Sequence, residues 1–232
     1  MATDKMPIKI EQHVAQKKFP RLSLFMGLPK IGKSTAMAKV PNALVCDLEG
    51  KGYEGIDVPA LVKTPTLKQL RDVCQYFFSE ENKNYTVLVI DHIRVLTSFF
   101  AKNITAEHKA RFVEEIEYGR GSFQLRNTID QFIKWLNQQL AQYPDKYVFL
   151  VGHAVDRNNE IRLDVDGKNE TMILGLVDSV GYIDREDDVT TVDFKARRGV
   201  EFGTRNPYLA NYEGVLDWKL LFDLAEGKEK VK

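Results

Sequence analysis

The chain has 232 residues, of which 44% are hydrophobic and 28% charged. These are ordinary proportions for a globular protein, and the length suits one domain of generous size. Lys+Arg and Asp+Glu both total 33, so bulk charge gives no support for nucleic-acid binding, and any such surface has to be local.

Residues 1–20 are polar, with Pro7-Ile-Lys-Ile10 as an edge strand or lead-in. Arg21 to Met26 reads as a buried strand, and Gly27-Leu-Pro-Lys-Ile-Gly-Lys-Ser34 follows it. A short helix is expected from Ser34 to Lys39, ended by Pro41. Asn42 to Asp47 is a second strand. Thr66 caps a helix whose apolar positions Leu67, Leu70, Val73, Cys74, Phe77 and Phe78 recur at helical spacing. Tyr85 to Ile90 is a third strand, apolar on both faces. A long polar stretch with Gly119 and Gly121 comes next, and then Leu125, Ile129, Phe132, Ile133, Leu136 and Leu140 trace one helical face. Tyr147 to Val151 is a fourth strand. Residues 154–178 read as a mobile loop or small hairpin. Tyr182-Ile183 and Val189 to Phe194 are late strands joined by a turn at Glu186-Asp187-Asp188, hence antiparallel. Glu226 to Lys232 is a charged tail. The β-α-β-α rhythm predicts a parallel α/β sheet in a single domain over 21–225.

Cys46 and Cys74 are too few for a disulfide framework and read as buried thiols of a cytoplasmic protein. No apolar run approaches ~20 residues, so no membrane span is expected, and the first residues lack a signal peptide's apolar run. His13, His92 and His108 show no metal-ligand spacing with each other or with cysteine, so no zinc site is proposed.

Gly27 to Ser34 fits G-x-x-x-x-G-K-[ST], the phosphate loop. Glycines let the backbone curl so that successive N–H groups face an anion. Gly27, Leu28, Pro29, Lys30, Ile31, Gly32, Lys33, Ser34 and Thr35 form the expected nucleotide cradle. Lys33 supplies a charge for the β- and γ-phosphates, and Ser34 a hydroxyl for Mg²⁺. Pro29 and Lys30 stand where small residues are more usual, and Lys30 adds a possible phosphate contact. Asp91 ends the strand Val-Leu-Val-Ile-Asp and is the second expected Mg²⁺ residue. Glu49, after the second strand, is placed to activate water, with Asp47 as its rival. His153 ends the fourth strand and can hydrogen-bond a γ-phosphate. Lys195-Ala-Arg197-Arg-Gly199 follows a late strand, where cations can reach a neighbouring subunit's site.

Four features, Gly27–Ser34, Asp47-Leu-Glu49-Gly50, Val89-Ile-Asp91 and Gly152-His153, resemble the RecA-like branch of P-loop ATPases over roughly residues 20–215. Within it the chain looks like small phage recombination ATPases of AAA type, one arm of which comprises single-strand annealing proteins. The resemblance implies an α/β, RecA-like P-loop NTPase fold with a mostly parallel central sheet flanked by helices and a late antiparallel hairpin. It implies ATP and Mg²⁺ as cofactors, Glu49 as hydrolytic base and His153 as the strand-tip residue. It also implies that Lys195, Arg197 and Gly199 act in trans, within a ring or filament of identical subunits. Single-stranded DNA is the expected partner, with a phage recombination or replication protein as another. DNA is expected at two loops, residues 97–123 and 154–178; the first brings Lys102, Lys109, Arg111, Arg120 and nearby Arg126 together with Phe99, Phe100, Phe112, Tyr118 and Phe123. The alternatives are a nucleotide or small-molecule kinase and a nucleotide-switch loader acting through a replication protein.

Overall fold

Every residue of β1 (Leu22–Gly27), β2 (Ala43–Asp47) and β4 (Val87–Asp91) is buried. Continuous burial requires cover on both faces, which a parallel sheet with crossover helices provides. The protein, seen in a computed structural model that describes residues 17–158, 160–197 and 201–230, has this arrangement. Helix α1 (Lys33–Ala38) joins β1 to β2, and β3 (Leu61–Lys63) leads into α2 (Leu67–Phe77) and β4. Helices α3 (Ile93–His108) and α4 (Arg120–Gln142) lead to β5 (Tyr147–Arg157). β6 (Glu160–Leu163), α5 (Gly167–Leu176), β7 (Ser179–Glu186), β8 (Val189–Asp193), β9 (Gly203–Thr204), β10 (Glu213–Val215) and α6 (Trp218–Ala225) complete the order.

The main path through the sheet runs β10-β8-β7-β1-β5-β4-β2-β3, with β6 on β5 and β9 on β7. From β7 to β3 the pairings are parallel, whereas β8, β10, β6 and β9 pair antiparallel. Alternation along β1 divides the core. Leu22, Leu24 and Met26 pack with α2, α3 and α4, while Phe25 packs with α1 and α6. This is the fold class expected from the sequence. Thr66 caps α2 as expected, its hydroxyl accepting from the Gln69 N–H. The late hairpin is present, and its first strand β7 also extends the main sheet beside β1. Cys46 and Cys74 are buried free thiols. Among the described residues no helix is long and apolar enough to cross a membrane. Pro7 to Ile10 lies outside the described residues.

Two expectations need correction. Residues 97–123 are not a loop: α3 runs through the first part, to His108, and two 3₁₀ turns then lead into α4. Ile93, Leu96, Phe100 and Ile104 form its buried stripe at helical spacing. Phe100 is therefore core and Phe99 packs against the core, whereas Phe112, Tyr118 and Phe123 are 64%, 92% and 66% exposed. Residues 154–178 hold more than a loop or hairpin, because β5 runs on past the sheet to pair with β6 and α5 follows.

The β6–α5 junction carries a buried carboxyl. Glu170 is fully buried, 3.2 Å from the Arg162 guanidinium, which also meets Glu201 at 3.1 Å. Burial, then the hydrogen bond and charge of Glu201, push the Glu170 carboxyl up, and Arg162 pulls the other way. A carboxyl raised in the folded state favours folding most below its ordinary value of 4.5, and that stability is lost as pH rises through the folded value. Glu170→Gln should therefore gain melting temperature relative to wild type between pH 5 and pH 8. Thermal melts across that range check it, and a Gln variant that loses ground as pH rises contradicts it.

Candidate functional site

Gly27 ends β1 where a Cβ would lie 2.3 Å from the Ile183 carbonyl oxygen on β7, so the backbones approach too closely for a side chain. The loop then turns through two left-handed residues, Lys30 (φ 65°) and Gly32 (φ 98°), into α1. Leu28, Pro29 and Lys30 are exposed, and Lys30, Gly32, Lys33, Ser34 and Thr35 line an open cleft of about 250 Å³. Helix α1 has only six residues. Its Ala36 carbonyl accepts from the Trp218 indole N–H of α6 at 2.9 Å, and Trp218 stacks on Phe149.

Lys33 Nζ donates to the carbonyls of Gly27 (2.9 Å) and Leu28 (2.7 Å). Its ammonium is folded over its own loop. Burial pulls its pKa down to about 8, against the opposing pull of Asp91 and Glu49. A phosphate here would supply the negative partner that the loop carbonyls only approximate.

Ser34 and Asp91 meet: Ser34 Oγ donates to Asp91 Oδ2 at 3.0 Å. Both are hard oxygen donors beside the phosphate loop. Mg²⁺ takes few protein oxygens and fills its remaining positions with water and phosphate, so this pair fits the ion. No motif or spacing marks a third member. Tyr53 Oη donates to the same Asp91 Oδ2 at 2.8 Å. Burial raises the Asp91 carboxyl, and the hydrogen bonds from Tyr53 and Ser34 hold that rise back. Burial and the Asp91 charge push the Tyr53 phenol up, so it keeps its proton and donates.

The strand register aligns the two acidic strand ends, Asp47 of β2 opposite Asp91 of β4. Asp47 points into its own turn, where Oδ1 accepts from the N–H groups of Glu49 (3.1 Å) and Gly50 (2.9 Å). Asp47 is 1% exposed, whereas Glu49 is exposed at the cleft. Asp47 is engaged in the turn, and Glu49 has its carboxylate exposed at the cleft with no side-chain partner among the described residues.

His153 pairs with Gly27 in the sheet register, so it stands beside the start of the phosphate loop and lines the cleft. A second imidazole accompanies it. The His92 and His153 ring centroids are 4.0 Å apart. His92 Nδ1 accepts from the Arg94 N–H and caps α3, while His92 Nε2 and His153 Nδ1 are buried without a hydrogen-bond partner among the described residues. Burial pulls His92 to about 3 and His153 to about 4, assisted by the Lys33 charge. Both rings are neutral near pH 7. The sequence signal for His92 was only its place immediately after Asp91.

Lys195 and Arg197 are not in this cleft. Lys195 pairs with Glu213 at 3.0 Å, and Arg197 pairs with Asp193 and Glu213. Asp193 aligns with Tyr182 of β7, which aligns with Met26 of β1. Because β8 runs antiparallel to β7, the chain beyond Asp193 heads away from the phosphate-loop edge of the sheet. Gly199 lies outside the described residues.

A family model described as an AAA domain matches residues 21–210. The chain belongs to the AAA domain family. The matched span of this AAA domain contains the phosphate loop and Glu49, Asp91, His153, Lys195 and Arg197. Among solved structures the domain is similar to the RadB recombinase, with 14% identity and a TM-score of 0.46 over 78% of this chain and 84% of that one. No curated protein matches it.

Proposed function

We propose that this AAA domain binds ATP with Mg²⁺, hydrolyses it, and serves recombination on single-stranded DNA in the manner of small phage ATPases. The supporting observation is convergence: Lys33 and Ser34 after β1, Glu49 after β2, Asp91 of β4 and His153 of β5 line one cleft. Lys33 binds the β- and γ-phosphates, and Ser34 and Asp91 hold the ion, which screens phosphate charge when bound. Glu49 takes a proton from water as the oxygen of that water bonds to the γ-phosphorus. The bond from that phosphorus to the bridging oxygen breaks, and ADP leaves with the electron pair. His153, uncharged, hydrogen-bonds a γ-phosphate oxygen and reports its loss to the β5–β6 hairpin. Lys195 and Arg197 complete the site of the next subunit in a ring or filament.

Phe112, Tyr118 and Phe123 are the aromatics left for base stacking, with Lys109, Arg111 and Arg120 near them in sequence. Glu114, Glu115 and Glu117 share the segment. Stacking rather than phosphate charge therefore has to supply most of the affinity, and the salt dependence should be shallow. The test is ATP turnover with and without single-stranded DNA over a range of protein concentrations. Turnover should rise with DNA, and turnover per subunit should rise with protein concentration. Phosphoryl transfer to a small acceptor, or no turnover without a partner protein, would replace this reading.

A further inference from the structure

We propose that Tyr53 is a positioning residue that ties the Glu49 turn to the magnesium carboxylate, so that ion binding and placement of the water-activating carboxylate are one event. This rests on the reading of Ser34 and Asp91 as the ion's protein oxygens. The turn is fastened to Asp91 at both ends. At its start the Leu48 N–H donates to the Asp91 carbonyl at 2.7 Å. At its end Tyr53 Oη donates to Asp91 Oδ2 at 2.8 Å. Glu49 lies between these anchors, and Asp47 braces the intervening backbone through the Glu49 and Gly50 N–H groups.

The hydroxyl is specific to this task. The Tyr53 ring is 4% exposed and belongs to the apolar cluster under α1 and α6, where Phe would pack as well. A phenol buried in such a place needs a partner for its O–H, and here the partner is the oxygen that also accepts from Ser34. Tyr53 and Ser34 together fix Oδ2, which sets the orientation of the carboxylate toward the cleft. Groups that orient a metal's ligands in this way are typically worth ~10–100-fold in metal affinity or activity.

The experiment is Tyr53→Phe in the full chain, read by a fluorescent ATP analogue titrated at fixed protein over a range of Mg²⁺, and again in EDTA. Thermal melts confirm the fold. The Mg²⁺ concentration for half-maximal binding should rise ~10-fold, affinity in EDTA should stay within about twofold of wild type, and turnover at saturating Mg²⁺ should still be reduced because the Glu49 turn is loosened. A packing role alone would leave the Mg²⁺ curve in place. Superimposable Mg²⁺ curves for wild type and Tyr53→Phe, or an equal loss of affinity in EDTA, would overturn the proposal while leaving the nucleotide reading intact. A wild-type protein that binds the analogue with no Mg²⁺ dependence would overturn both.

Discussion

Glu49→Gln should keep ATP and Mg²⁺ binding and lose most turnover. The amide preserves the shape and cannot accept the proton of an attacking water, and a general base is typically worth ~10²–10⁴-fold. Asp47→Asn is the informative companion. Asp47 is spent on the N–H groups of its own turn, so its loss should disturb the placement of Glu49 and not remove the base. Steady-state turnover beside equilibrium nucleotide binding separates the two. An inactive Asp47→Asn beside a Glu49→Gln near wild type would reverse the assignment.

Lys33→Ala should abolish measurable triphosphate binding and leave a folded protein. A hydrogen bond to a charged group contributes ~1.5–3 kcal/mol, and Lys33 is expected to reach two phosphates. The cost to the empty protein should be small, since its bonds to the Gly27 and Leu28 carbonyls lie beside an open cleft where water can replace them. The sign of the pH effect is fixed as well. An unfolded chain protonates this lysine below about 10.5 and the folded chain only below about 8. Stability of the empty protein therefore falls as pH drops through that window, and Ala removes this dependence. Calorimetric titration and melts at pH 7 and pH 9.5 check both points. Unchanged affinity in a folded variant would end the phosphate-loop assignment.

The strand-end residues were legible because two local signals coincide there. A continuous apolar run marks a strand buried on both faces, and a polar residue at its C-terminal end marks the ligand edge of a parallel sheet. Asp91 ends β4, Glu49 lies two residues past the end of β2, His153 stands where β5 leaves the main sheet, and the phosphate loop adds a fixed spacing. Helix α3 was missed because the apolar Val95, Phe99 and Ala101 interleave with the buried stripe Ile93, Leu96, Phe100 and Ile104 and blur its helical period. Tyr53 was not legible at all. Its contact with Asp91 spans 38 residues and exists only because the Glu49 turn folds back over β4. The pairing of Lys195 and Arg197 with Glu213 depends in the same way on β10 lying beside β8.

Six residues make α1 about 9 Å long at ~1.5 Å per residue, too short to carry a displacement across the domain. The rigid path away from the phosphates is instead the indole wedged under it. Trp218 donates to the Ala36 carbonyl and lies flat on Phe149, so α1 is tied directly to α6. Trp218 is thus a native fluorophore mounted where α1 meets α6, and a change in its emission on adding ATP is the expected sign of an occupied cleft.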